Sequence, residues 1–441
     1  MNVHILGKEP ICVGNNVNNM TNADMEYGIS PKKIVVVGAG AAGMMAAVTA
    51  ARLGADVTVV EKNDRPGKKL RITGKGRCNL TNDCSVQDFM ANVPQNPRFL
   101  YTSLSKFSVE DVKSFFEDAG VPLKVERGNR VFPVSDKAAD VVDALFGECK
   151  KAGVKFLFNK KTHGVNCENG RAVSVKCSGG DIKCDAVILA CGGASYPLTG
   201  SDGDGFRMAS ALGHTVTRLR PSLVPIVEDG TLCREMQGLS LKNVGLKITA
   251  EDSGRVVYQD FGEMMFTHFG LTGPMILSAS AYIGDIDKNK YIAEIDLKPA
   301  LDEKKLDTRL LSDFAKYSNR DFLNSLSDLL PQKMIEPTVR LSGIDGRKKV
   351  NSITREERAR LCEVLKHFKV RLSHFRPMAE AIVTRGGVAV GEIDPRTMGS
   401  KLVEGLYFAG EMIDVDAYTG GFNLQIAFST GYTAGESVVY G

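Results

Sequence analysis

The 441-residue sequence predicts an α/β protein whose parallel-sheet domain is interrupted by an inserted β-rich and helical region. Three observations carry this prediction. Residues 33 to 61 run KIVVVGAGAAGMMAAVTAARLGADVTVVE, an apolar strand, a glycine turn, a small-residue helix and a second strand. From about residue 216 the texture changes to short strand-like segments broken by Gly and Pro, followed by charged amphipathic stretches. Residues 405 to 437 then return to an apolar strand, an acidic glycine-rich turn and another helix of small residues. The chain is longer than one hydrophobic core usually supports, so two or three domains are expected.

In the first unit, Ile34 to Val37 form a β-branched run suited to a buried strand. Gly38, Gly40 and Gly43 follow at G-x-G-x-x-G spacing, which marks a dinucleotide site when strand, turn and helix fall in register. Gly38 permits the tight turn, Gly40 lets the backbone approach a pyrophosphate, and Gly43 lets the helix pack on the strand. The helix N-terminus offers free amides and a positive dipole end to the phosphates. Glu61 closes the second strand, where a carboxylate accepts hydrogen bonds from ribose hydroxyls. The candidate site therefore comprises Gly38, Ala39, Gly40, Ala41, Ala42, Gly43, Glu61 and the adjoining Lys62. An acid at the ribose disfavours a 2′-phosphate, which leaves FAD or NAD as the occupant of this site.

The loop RPGKKLRITGKGRCNLTND runs over the carboxyl ends of the strands, and its glycines and cations suit a planar ring or an anionic reduced cofactor. The loop carries Lys68, Lys69, Arg71, Lys75 and Arg77. Helices are expected at Val109 to Ala119 and at Asp136 to Ala152, the latter capped by Ser135 and stopped by Gly153. A strand at Val154 to Phe158 and a hairpin turning at Asn169-Gly170 follow. The strand Ala186 to Ala190 runs into Gly192-Gly193, a second close backbone approach.

Beyond the β-rich insertion, residues 301 to 330 and 353 to 374 read as helical, with Thr354 and Glu357 as a capping box. In the last segment Gly410, Glu411, Asp414, Gly420, Gly421, Phe422 and Asn423 cluster before the final helix. Paired with the opening motif, this cluster favours FAD, whose ribityl chain and ring need contacts that an adenosine site cannot reach. The helix N-terminus would face the pyrimidine edge, where reduction builds negative charge. The Gly431-x-x-x-Gly435 spacing lets that helix pack closely.

A formal charge of +4 gives no support for bulk nucleic-acid binding or membrane adsorption. No apolar run reaches a membrane span, and no signal peptide is evident, so a cytoplasmic location is expected. Ten scattered cysteines without C-x-x-C, and histidines without paired spacing, suit reduced thiols and no metal site. Cys78 and Cys84 are conceivable as a redox pair, but the loop is poorly suited to fix disulfide geometry. Residues 1 to 30, rich in Asn, read as a disordered leader, with Met20 or Met25 as an alternative start.

The segments PGKKLRITGKGRCNLTN, LACGGASYPLTGSDGDGFRMASALGH, GEMMFTHFGLTGPMILSAS and GLYFAGEMIDVDAYTGGFNLQIAFSTG resemble the BaiN/RdsA flavoproteins, also called YhiN-type or HI0933-like, over about residues 31 to 441. The resemblance implies a glutathione-reductase-like Rossmann FAD domain in two parts, 31–215 and 376–441, with Lys69, Arg77, Cys78 and Asn79 as cofactor contacts. It implies a β-barrel at about 216–300 and 332–350, and a helical bundle at about 301–331 and 351–375. Ala417 and Phe422 depart from the family pattern, where glycine and tyrosine are common, which leaves the local turn shape and any hydroxyl contact open.

Only one Rossmann fingerprint is present, so NADH or NADPH would bind transiently as donor, or another reductase would reduce the flavin. The resemblance implies hydride transfer to a conjugated C=C of a 3-oxo steroid of the bile-acid type, a small-molecule substrate, while the weak charge excess argues against a nucleic-acid or membrane partner. Tyr196, His268 and Arg385 are the candidate donors to the enone oxygen or the proton source. Alternatives are aminoacetone-type amine oxidation, a redox sensor, or a nucleic-acid-modifying flavoprotein.

Overall fold

The computed structural model describes residues 30–440. The expected leader, apart from Ser30, lies outside the described residues, as do Met20, Met25 and Cys12. The opening unit forms as expected: β1 (Lys33–Val37), α1 (Ala41–Arg52) and β2 (Asp56–Val60). With β3 (Lys155–Leu157), β4 (Ala186–Leu189) and β5 (Leu406–Phe408) they build a five-stranded sheet in the order β5-β4-β1-β2-β3. Every pairing is parallel. Covered on both faces, β1 after its exposed Lys33 and β4 throughout read as unbroken apolar runs. Val37 pairs with Val60 and Leu189, so the strands end together and open one crevice at their carboxyl edge.

β5 arrives from the far end of the sequence and leads into α3 (Phe422–Tyr440), which packs against α1. The helices touch backbone to backbone: a Cβ on Gly431 would stand 2.4 Å from Ala42 O, and one on Gly435 would stand 2.3 Å from Ala46 O. The small-residue spacing read from the sequence is this contact.

The insertion is a closed antiparallel barrel of Ile226–Glu228, Ser240–Ala250, Val256–Phe266, Gly270–Thr272, Tyr291–Asp296 and Phe368–Phe375. Helices Glu303–Lys316, Gln332–Ser342 and Arg355–Lys366 pack against it. Two expected assignments are corrected. Residues 332–342, expected in the barrel, form a helix that buries Met334, Ile335 and Val339 at helical spacing despite Pro337 in its interior. Residues 368–375, expected in the bundle, form a barrel strand that alternates inward Phe368, Val370 and Leu372 with exposed Lys369 and Arg371. The capped helix before it reads into this strand without a break, which hides the change from period 3.6 to period 2.

Local signals behave unevenly. The Thr354/Glu357 capping box is present. Asn169 and Gly170 are both left-handed, at φ 49° and 80°, as a two-residue hairpin turn requires. Ser135 does not cap the helix, which begins at Ala138; its Oγ accepts instead from Lys137 N, across a left-handed Asp136. Two large cores fill the sheet domain and the barrel with its helices, and a small third cluster of Leu223, Ala281, Val383 and Tyr418 lies where the two meet. Its Ala281 belongs to α2 (Pro274–Tyr282), a helix of the insertion.

Candidate active site

A cavity of about 1260 Å³ follows the carboxyl edge of the sheet from Glu61 to the inserted region. This exceeds the roughly 300–1,000 Å³ of an ordinary small-molecule site. At one end lies the glycine turn. Gly38 has φ 106° and donates its N–H to Val60 O at 2.9 Å, and a Cβ there would meet Ala190 O at 2.5 Å. Gly43 is closer still, since its Cβ would fall 1.9 Å from Gly38 O. Gly40 differs, for nothing stands within 4 Å of its Cβ position. The turn thus offers bare backbone and the α1 N-terminus to the cavity.

Glu61 is buried beside this turn. Its Oε2 accepts from Ala39 N at 2.8 Å, while Oε1 accepts from the Asn63 amide and side chain, both at 2.8 Å. These bonds fix the carboxylate at the cavity wall. Lys62 pairs with Asp202 at 2.6 Å and Asp204 at 3.1 Å at the same end.

Midway, Lys69 Nζ donates to Ser195 Oγ and to Glu411 Oε2, each at 2.7 Å. Glu411 Oε1 accepts from Thr384 N at 2.7 Å and Ser195 Oγ at 3.2 Å, and Thr384 Oγ1 accepts from the Ala194 and Ser195 amides. Burial pushes the Glu411 carboxyl up, but Lys69, the Thr384 amide and Ser195 overcome it and hold the group below the ordinary carboxylate range. Gly193 is required here, because a Cβ would lie 2.3 Å from Thr384 Oγ1 and 2.7 Å from Glu411 Oε1. Gly192 has φ 76° and packs on Ser201 in the same way.

At the far end Gly410 donates its N–H to Thr430 Oγ1 at 2.9 Å, and its left-handed backbone passes against Ala42. Gly421 lies against the Thr81 backbone, where a Cβ would fall 2.3 Å from Thr81 O. Asn82 Nδ2 bridges Gly420 O and Gly128 O, each at 3.0 Å. Asn423 staples the preceding turn, accepting from Ala417 N at 3.0 Å and donating to Ala417 O at 2.7 Å. The two departures from the family pattern fit this arrangement. Ala417 is buried and outside the left-handed region, and Phe422 uses only its ring, edge-on to Phe89 at 5.1 Å.

Arg77 lines the cavity, its guanidinium paired with Glu126 at 2.5 Å and Asp136 at 2.6 Å and stacked on Phe132. Several other expected residues sit elsewhere. Cys78 is buried off the cavity lining with its thiol pushed up to about 12 by burial, and Cys84 forms no disulfide with it. Asp414 is also off the lining, and burial raises its carboxyl. Of the three candidate catalytic groups, only Tyr196 lines the cavity. His268 is exposed in the barrel turn before Gly270. Arg385 is turned away, donating to Ala281 O at 2.8 Å and lying 3.4 Å from buried Asp416. Thr384, Asn82 and Tyr418 are site residues that the sequence reading missed. Thr81-Asn82 ends the basic loop and Tyr418-Thr419 adjoins Gly420, so adjacency to the motifs was the available signal.

The cavity fits FAD on its own geometry. Asn79 lines it with a buried Oδ1 that has no protein partner, Gly40 leaves an open cradle, and the N-termini of α1 and α3 both reach it. A profile of the HI0933-like protein Rossmann domain matches residues 32–437. The chain belongs to this family. It is similar along nearly its whole length to curated relatives. The 3-dehydro-bile acid delta(4,6)-reductase of Clostridium scindens is 30% identical, the match spanning 92% of this chain and 98% of that one. The ribosomal RNA dihydrouridine synthase of Escherichia coli is also 30% identical, over 92% and 97%. The 3-ketosteroid delta1-dehydrogenase of Sterolibacterium denitrificans shares the fold, with a TM-score of 0.50 at 13% identity over 93% of this HI0933-like chain and 100% of that one. Family and fold together support an FAD oxidoreductase. Among the described residues no group of side chains could hold a metal ion, and no helix is long and apolar enough to cross a membrane.

Proposed function

We propose that this protein is an FAD-dependent reductase of a C=C bond conjugated to a carbonyl, with a 3-oxo steroid of the bile-acid type as substrate and NADH or NADPH as donor. The observation that carries the reading is the continuity of the cavity. Its dinucleotide end runs without a break into a wall of Leu223, Leu277, Ile382 and Val383 from the inserted region and its edge, a surface suited to an apolar polycyclic substrate. FAD, when bound, supplies the hydride.

The chain's own groups do the rest. Gly38 to Ala42 and Glu61 hold the dinucleotide, with the α1 amides toward its phosphates. The Lys69–Glu411–Ser195–Thr384 network fixes the middle of the cavity and places one cation there. Gly420 to Leu424 present the α3 N-terminus, which favours negative charge on whatever lies against it.

A second reading, reduction of a uridine ring in RNA, is favoured by a separate observation. Lys75, Arg130 and Lys160 line the cavity and form no ion pair among the described residues, leaving positive charge for a phosphate backbone. The chemistry is the same in kind, since the uracil C=C is also conjugated to a carbonyl.

The test is anaerobic reduction of the flavin-loaded protein by NADH or NADPH, followed by mixing with a 3-oxo-4-ene or 4,6-diene steroid, a uridine-bearing rRNA fragment, or oxygen. Fast reoxidation by the steroid is expected. Reoxidation by RNA alone replaces the substrate, reoxidation by oxygen alone favours an amine oxidase, and a purified protein without flavin refutes the cofactor.

A further inference from the structure

Reducing a conjugated C=C needs a proton as well as a hydride, and none of the groups named from the sequence belongs to the apolar wall assigned to the substrate. His268 and Arg385 do not line the cavity. Lys69 and Glu411 bond each other, and Cys84 packs against the core of the sheet domain and not against the apolar wall. Tyr196 lines the cavity in the turn after Gly193, its backbone left-handed at φ 55°, and is not part of the cluster of Leu223, Leu277 and Val383.

Tyr418 is differently placed. It is 8% exposed, lines the cavity, and clusters with Leu223, Leu277 and Val383, the apolar wall assigned to the substrate. It is also held from every side. Its N–H donates to Asn92 O at 3.0 Å, its carbonyl accepts from Asn423 Nδ2 at 3.3 Å, and the next residue, Thr419, hydrogen-bonds Ser278 of α2 at 3.1 Å. The ring stacks on Tyr282 of α2, with centroids 4.3 Å apart and planes 11° apart. Tyr282 in turn lies 5.0 Å from Tyr258, whose hydroxyl donates to Asp260 at 2.8 Å. With Tyr282 43% exposed, the stack joins the cavity wall to water.

We propose that Tyr418 is the proton donor of the reaction, an assignment that rests on the enone reading above. Tyr418 gives its phenolic proton to the carbon next to the carbonyl, while the farther alkene carbon takes the hydride released by the reduced cofactor. The alkene π bond breaks, two C–H bonds form, the cofactor is oxidised by two electrons, and the tyrosinate regains a proton from water at the Tyr282 side. Burial, and then Tyr282, raise the phenol above the ordinary tyrosine range, with Arg385 opposing and Asp416 adding. The group therefore stays protonated at neutral pH, as a donor must.

The flavin-loaded full chain tests this with Tyr418→Phe and Tyr282→Phe. Steroid binding to the oxidised protein, read from the perturbed flavin absorbance, should change by less than about threefold, and flavin reduction by NAD(P)H by less than about twofold, because neither needs the proton. Reoxidation by the steroid should fall about 10²–10⁴-fold in Tyr418→Phe, the range of general acid catalysis, and by less than about tenfold in Tyr282→Phe. A wild-type measurement stands apart from whether the variants fold: reoxidation should be flat to about pH 9 and decline only above it, since a tyrosine titrates near 10 or higher. Wild type that reacts while Tyr418→Phe keeps pace, or a decline centred near pH 6–7, overturns the assignment alone. Wild type reoxidised by neither steroid nor uridine-bearing RNA overturns the enone reading, and this assignment with it.

Discussion

The contact between α1 and α3 makes the same substitution act with opposite signs at two places in this protein. Gly431→Ala places a methyl 2.4 Å from Ala42 O and 3.1 Å from Ala42 Cα, all backbone atoms of the facing helix. Ordinary contact begins at 3.4 Å, so the helices must part by about 1 Å. Overpacking of this kind typically costs about 1–3 kcal/mol, while replacing a helical glycine by alanine returns about 1 kcal/mol. With backbone on the far side there is no side chain to yield, which puts the cost at its upper end, about 2–3 kcal/mol, and the net expectation is a loss of about 1–2 kcal/mol. Gly147→Ala, inside helix Ala138–Lys151, meets nothing within 4 Å and should gain the propensity term of about 1 kcal/mol undiminished. Thermal unfolding of wild type and both variants, side by side, reads the two signs. Because Ala42 and Ala427 both line the cavity, Gly431→Ala should also weaken flavin binding in a fluorescence titration. A Gly431→Ala protein more stable than wild type refutes the reasoning, for it would mean that propensity outweighs the backbone contact.

Three further outcomes are expected. Gly40→Ala, whose Cβ meets no protein atom, should melt within about 0.5 kcal/mol of wild type without flavin yet bind flavin at least about 10²-fold more weakly; an unchanged affinity would remove Gly40 from the cradle. Glu411→Gln should cost about 1.5–3 kcal/mol by leaving Lys69 without its charged partner. Since the Glu411 carboxyl is depressed in the fold, its contribution is complete above the unfolded value and disappears as pH falls through the folded one, so the loss should shrink in acid, measured as melting temperature against pH. The Cys78 and Cys84 thiols, raised by burial to about 12 and about 11, should stay protonated at neutral pH, and Cys78→Ser should leave flavin reduction unchanged in stopped flow.

How far the sequence could be read depended on whether its signals were local. The strand, glycine turn, helix and acid of residues 33 to 61 appear in the fold in the expected order, because each is dictated by a short-range requirement: a two-sided buried strand, a left-handed Gly38, a helix start. The Thr354 capping box and the Asn169-Gly170 hairpin are of the same kind. Ser135 shows the limit, since a good capping residue loses to a left-handed Asp136 that moves the helix start on to Ala138. The strand at Phe368–Phe375 was hidden because only barrel closure against Ile226–Glu228 and Tyr291–Asp296 decides that its alternation, and not the helical period before it, prevails.

By itself, then, the sequence determined the dinucleotide turn, the return to that fold at Gly410 to Asn423, and the small-residue face of the last helix, all of which follow from steric rules that act within a few residues. Tertiary structure alone decided which charged groups serve the cavity. Arg385 looks like a free cation in the sequence but lies off the cavity lining against Asp416, and Arg77 lines the cavity with its charge taken up by Glu126 and Asp136, whereas Lys69, Glu411 and Thr384 are joined across more than three hundred residues. Tyr418 joins the apolar cluster of Leu223 and Val383, with Tyr282 of α2 in the insertion stacked on its ring. A buried charge or phenol is fixed by whichever partners the fold brings to it, and those partners are distant in sequence.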